Sequence, residues 1–174
     1  MSNHEKSFAI LFTLAALGAM SFGCAPAGDE EKNTAAMKRF YDEVMSKGNL
    51  KVIDELFADS VIEHYEPGQK VSRSRALSVQ TMNMMRTAFP DLQITVEDII
   101  AKGDKVWAYT IMRGTNKGAF MGMPATGKKI EVKGVIIVRF VNGKGVERWV
   151  LNDDYTMFRQ LGVIPPPGQE SMEK

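Results

Sequence analysis

The chain has 174 residues, 44% of them hydrophobic, and its 22 Lys and Arg nearly balance 21 Asp and Glu for a formal net charge of +1. That is enough apolar material for one domain with a sizeable core, and far too little charge imbalance to support nucleic-acid binding. A single cysteine and two histidines exclude a disulfide framework and a zinc cluster within the chain.

The first stretch, MSNHEKSFAILFTLAALGAMSFGC, has Lys6 in a short polar lead and an apolar run from Phe8 to Gly23 that stops at Cys24. Residues 1–23 are expected to be an export leader outside the fold. Ending at Cys24 and followed by APAGDEEKN, the leader resembles a bacterial lipoprotein signal. That resemblance implies a lipid-bearing Cys24 as first mature residue and a place at the cell envelope. Two other outcomes stay open: secretory cleavage after Ala25–Ala27, releasing a soluble exported protein, and a retained membrane helix, for which the run is slightly short. With no second cysteine, Cys24 has no partner for metal or disulfide chemistry.

Residues 24–32 are small and acidic, a tether with nothing to bury. From residue 33 to 165 the pattern is that of a folded domain, and 166–174 are expected to form a disordered tail. Met37, Phe40, Tyr41, Val44 and Met45 recur at spacings of three and four, which predicts a helix capped by Asn33 or Thr34 and ended by Gly48. Asn49 opens a shorter helix using Leu50, Ile53, Leu56 and Phe57. VIEHYEPGQ reads as a short extended piece closed by a Pro-Gly turn. A third helix, rich in Met and Arg, is predicted from Ser72 to Ala88, with Pro90 closing it. Its methionines are either ordinary packing or an adaptable cavity lining.

Strand patterns follow one another from there: LQITVEDIIAK, KVWAYTIMRGTN, KKIEVKGVIIVRF and VERWVLND, separated by turn residues and one glycine-rich loop. Three helices followed by a meander predict an α+β fold with helices on one face of a strongly curved, mostly antiparallel sheet. Strands of about ten residues favour a bent sheet that wraps a small-molecule pocket.

The last strand raises a question of chemistry. With a period of two, Trp149 and Leu151 share a face with Asp153, and Asp154 points the other way. If that face is the inner one, Asp153 loses solvation, its pKa rises, and it suits a general base. Alternatively Asp153 ends the strand and caps YTMFRQLG.

Two segments, GAFMGMPATGKKIEVKGVIIVRFVNGKGVERW and AFPDLQITVEDIIAKGDKV, together with DSVIEHYEPG and WVLNDDYTMFRQLG, carry a family likeness. They resemble the SnoaL-like polyketide cyclases, or ester cyclases, of the nuclear transport factor 2-like superfamily, over about residues 34–165. The resemblance implies a cone of three N-terminal helices over a curved sheet, paired into a homodimer or higher oligomer through the sheet's outer face. It also implies a cofactor-free intramolecular aldol closure in which an aspartate removes a proton and returns it. By its place after the tryptophan, that aspartate matches Asp153.

His64 stands where the family often has a pocket histidine, and would polarise a carbonyl or share a proton with Asp153; otherwise it is a hydrogen-bonded core or rim residue. Arg139, at the end of GVIIVRF, either points inward to a carboxylate or outward to Glu131 or Glu147. Asn116 replaces a histidine that relatives often carry and is a candidate substrate contact, as are Trp149 and Leu151. Trp107 and Tyr109 favour core or dimer face. No phosphate loop, GxSxG elbow or metal-ligand cluster is present in the sequence, so no cofactor or metal is expected. The functional expectation is an exported pocket protein for a small apolar or carbonyl-containing molecule, either a cyclase or a non-catalytic ligand-binding lipoprotein of the envelope.

Overall fold

The computed structural model describes residues 27–64 and 70–165. The leader, Cys24, the Pro-Gly turn and the tail lie outside the described residues. Ala27–Arg39 (α1) runs without a break into a π-helical stretch, Phe40–Ser46. The helix thus begins at Ala27, ahead of the expected Asn33, and absorbs residues read as tether. Two local causes support the early start. Asp29 and Glu30 lie in the first turn, where negative charge complements the helix dipole, and Glu30 accepts a hydrogen bond from the Gly103 amide at 2.6 Å. Asn33 is not a cap but a buried residue of the helix. The predicted stripe holds: Met37, Phe40, Tyr41 and Val44 are all buried.

A short 3-10 turn, Leu50–Val52, leads into Ile53–Leu56 (α2), then Phe57–His64 (β1). Val71–Ser74 (β2) pairs antiparallel with β1 instead of opening the next helix. Arg75–Ala88 (α3) starts only after Ser74, whose hydroxyl accepts from the Leu77 amide at 3.3 Å as an N-cap. Four long strands follow, Gln93–Lys102 (β3), Lys105–Thr115 (β4), Lys129–Val141 (β5) and Lys144–Asn152 (β6), and Asp154–Leu161 (α4) closes the domain.

The six strands form one sheet in the order β2-β1-β6-β5-β4-β3. All pairings are antiparallel except β1 with β6, which is parallel. This is the α+β arrangement that the pattern predicts. Register shifts interrupt three strand pairs, between Phe57 and Ile62, Val96 and Asp98, and Arg139 and Phe140. An extra residue on one strand bends it and increases its twist, so the sheet curls around the helices. No helix among the described residues is long and apolar enough to cross a membrane.

Two apolar clusters fill the concave side. One joins α1, the π-helical stretch and α2 to Val61, Val106, Ala108, Val138 and Phe140 of the sheet. The other gathers Ala88, Phe89, Leu92, Ile130, Val132, Met157 and Leu161 around the end of α3 and α4. Between the clusters the sheet and α3 stand apart.

A buried ion cluster locks the parallel pair. Glu63 of β1 is 0% exposed and is the register partner of Arg148 on β6. One Glu63 oxygen meets Arg73 Nε at 2.5 Å, and the other is held by the Arg148 guanidinium. Removing one partner of a buried pair leaves an uncompensated charge, which costs more than the pair contributes. Glu63→Gln is therefore expected to lower the unfolding free energy by about 3 kcal/mol, read from urea denaturation. An unchanged midpoint would show that the cluster does not fix β1 on β6.

Candidate functional site: a cavity under the curved sheet

The space between the two clusters is a cavity of about 1010 Å³, at the large end of what drug-sized ligands occupy. The π-helical stretch brings Phe40, Tyr41 and Met45 to it; such wide turns are rare and recur at functional positions. From α3 come Val79, Met82 and Met85, and from the loop after β4 comes Phe120. The sheet contributes Met112, Ile136 and Val150, and α4 contributes Met157 and Phe158. The methionines of α3 are thus both packing and lining, and their unbranched side chains let the wall adapt to shape.

A few polar groups interrupt this apolar lining: Tyr41, Thr110, Arg148, Asn152 and Asp154. Gly134 lies beside Asn152 on the cavity floor; a Cβ there would come within 2.7 Å of Asn152 Oδ1. Thr110 keeps its hydroxyl on the Gly134 carbonyl at 3.3 Å. Among the described residues no group of His, Cys, Asp or Glu is arranged to hold a metal ion.

The alternation along the last strand is real, but its faces are the reverse of those a buried Asp153 requires. Arg148, Val150 and Asn152 face the cavity, and so does Asp154. Trp149 and Leu151 lie on the outer face, where Leu151 is 72% exposed. Asp153 is exposed as well. Its Oδ1 accepts from the Thr156 amide at 3.0 Å, making it the N-cap of α4. The Thr156 amide and hydroxyl hold its carboxyl below the usual aspartate range, so the expected upward shift of Asp153 is corrected. Asp154, also an exposed residue but one that lines the cavity, shows the opposite: partial desolvation pushes its carboxyl up, and the neighbouring charge of Asp153 adds to the effect. A base that takes and returns a proton is helped by such a shift, and it belongs to the adjacent aspartate.

The other sequence candidates also lie away from the cavity. His64 stacks on Trp149 with ring centroids 4.7 Å apart and planes 9° from parallel. Its Nε2 meets Glu147 at 2.8 Å, and Arg139 donates to the other Glu147 oxygen at 2.8 Å, the outward arrangement. Lys105 sits over the Trp149 ring at 4.9 Å. Burial pushes the Glu147 carboxyl up, but the bonds from His64 and Arg139 outweigh it and leave the group below its ordinary range. Trp107 pairs in register with Ile137, itself paired with Trp149, on this outer surface. Asn116 is 1% exposed and structural. Its amide donates to Gly118 O at 2.8 Å and its carbonyl accepts from the Thr126 amide at 2.7 Å, bracing the glycine-rich loop. Reasoning from the sequence missed Tyr41, Arg148, Asn152 and Asp154. For Arg148, Asn152 and Asp154 the signal was the same period of two, read on the other face; Tyr41 lies on the helical stripe, where spacing alone marks it as core.

Comparison with known proteins follows this geometry. The sequence model described as SnoaL-like polyketide cyclase matches residues 35–161. No curated protein matches the chain. Among solved structures, one described as a SnoaL-like polyketide cyclase from Jannaschia sp. CCS1 superposes with a TM-score of 0.72 at 21% identity, covering 82% of this chain and 100% of that one; at that identity it speaks for the fold alone. IdmH from Streptomyces antibioticus, described as a polyketide cyclase, is 31% identical over 75% of this chain and 98% of its own, with a TM-score of 0.65. AclR from Streptomyces galilaeus, described as a hydroxylase, is 29% identical over 78% of this chain and 99% of its own, with a TM-score of 0.70.

The two adjacent aspartates give a direct check. Carbon-detected NMR titration is expected to place Asp154 above and Asp153 below the ordinary aspartate pKa of about 3.9. Because the Asp153 pKa is depressed in the folded state, its capping contribution is present above the unfolded pKa and is lost as pH falls through the folded one. Asp154 has the reverse sign, so Asp154→Asn should hold or raise the thermal midpoint at neutral pH. Reversed shifts would remove Asp154 from the site.

Proposed function

The chain belongs to the SnoaL-like polyketide cyclase family, and from that membership and the cavity we propose that it encloses an apolar, carbonyl-bearing small molecule and acts on it by cofactor-free acid/base chemistry. The observation that carries the proposal is a large apolar cavity with one carboxyl on its wall, Asp154, whose pKa is raised. In the ionised form Asp154 removes a proton from the carbon next to a carbonyl. The resulting enolate carbon attacks a second carbonyl of the same molecule, forming one carbon–carbon bond. The alkoxide so formed takes the proton back from Asp154, and the carboxylate is restored. Asp153 acts only as a positioning residue, fixing the first turn of α4 on which Asp154 sits.

The absence of Asp153 and His64 from the cavity favours a second reading, a binding protein that holds the same molecule unchanged. Proton exchange separates the two. Ligand retained by the purified chain, identified by native mass spectrometry, is expected to exchange hydrogen for deuterium beside its carbonyl in D2O. Asp154→Asn should slow that exchange by about a hundredfold or more while the ligand stays bound, and Asp153→Asn should leave it within a few fold. Exchange indifferent to Asp154 leaves the binding protein.

The proposal extends to location and assembly. The apolar run before Cys24 supports export and lipid attachment there. The apolar outer face, with Leu151, Val135 and Ile62 exposed, supports pairing of two chains. Membrane fractions should yield a chain beginning at a lipid-modified Cys24, and sedimentation in detergent should show a dimer that Leu151→Glu splits. An unmodified cysteine defeats the first extension, and a wild-type monomer the second.

A further inference from the structure

Two buried donors on the cavity wall find no partner among the described residues. Tyr41 is 2% exposed, yet its hydroxyl finds no hydrogen-bond partner among the described residues. Arg148 engages Glu63 through its terminal nitrogen, and its buried Nε is likewise without a partner among them. Both residues line the main cavity. They also sense each other: burial pushes the Tyr41 phenol up, and the Arg148 charge offsets part of that rise. A buried donor left unmade costs about 1–3 kcal/mol, so two beside one cavity call for an acceptor.

Their place in the cavity sets a length. Arg148 and Asn152 lie four residues apart on β6, about 13 Å at about 3.3 Å per strand residue, and Asp154 follows at the start of α4. The wall between them carries Val150 from β6 and, facing it from other elements, Met82 and Ile136. We propose that Tyr41 Oη and Arg148 Nε form an anchor for an acceptor oxygen at the end of the ligand remote from Asp154. This inference rests on the small-molecule reading of the cavity and narrows it to a class: elongated, apolar molecules with a carboxylate or carbonyl oxygen at the tail. A guanidinium N–H and a phenol O–H both donate to such an oxygen, while Glu63, already held by Arg73 and Arg148, keeps the guanidinium in place.

The test uses the full chain and three probes of equal chain length: dodecanoic acid, its methyl ester and dodecane, measured by competitive displacement of a fluorescent fatty acid. Tyr41→Phe removes only the hydroxyl. It is expected to weaken one or both oxygen-bearing probes by about five- to tenfold, to leave dodecane unchanged, and to raise the thermal midpoint because an unpartnered group is gone. Arg148→Lys keeps a positive charge for Glu63 and removes the Nε donor, and should weaken the same probe. Loss confined to the acid identifies an anionic tail, and loss confined to the ester a neutral one. If all three probes bind and Tyr41→Phe changes none, the anchor is overturned while the cavity reading stands. If none enters the wild-type chain, the cavity reading fails and the anchor with it.

Discussion

Which side chains β6 gives to the cavity depends on how β6 sits against β1. Strand residues alternate between faces with a period of two, so a slip of one residue would exchange the whole inner set for the outer set. Glu63 is fully buried opposite Arg148, and charges of opposite sign cannot be separated there without a large desolvation cost. That pair holds Arg148, Val150 and Asn152 inward, and leaves Trp149 and Leu151 outward. It also decides which of two adjacent aspartates meets the hollow.

The hollow exists because the sheet bends away from its helices more than side chains can fill. Bulges in three strand pairs supply the curvature. The absence of a side chain at Gly134 keeps the floor clear beside Asn152. Cores normally reach crystal-like density, and a void of this size forfeits dispersion contacts along its wall. Adaptable methionines on α3 and aromatic rings from the π-helical stretch and the glycine-rich loop form that wall. An occupant would restore the contacts that the fold omits.

Two polar systems share the sheet and do different work. On the outer face, Glu147 is bonded by both His64 and Arg139, and the Trp149 ring stacks on His64. Such a network ties three strands together. On the inner face, Tyr41 and Arg148 keep donors unmade, and Asp154 bears a raised pKa. Unmet hydrogen-bonding capacity and a carboxyl pKa raised by desolvation are marks of a functional surface, and on this sheet they fall together on the inner face.

The order of elements was legible in the sequence because it rests on local rules: the apolar stripe of Met37, Phe40, Tyr41 and Val44, the proline after α3, and the long alternating strands. The family likeness and the alternation that puts Trp149, Leu151 and Asp153 on one face were legible for the same reason. Local patterns did not reveal β2, a four-residue strand that exists only through its pairing with β1, nor the helical start at Ala27, held by a contact from Glu30 to a distant turn. Nor could alternation say which face is the inside, since both faces of the last strand carry apolar residues. Only tertiary structure decided that, by burying Glu63 against Arg148. The cavity thereby received Asp154, while Asp153 became a cap.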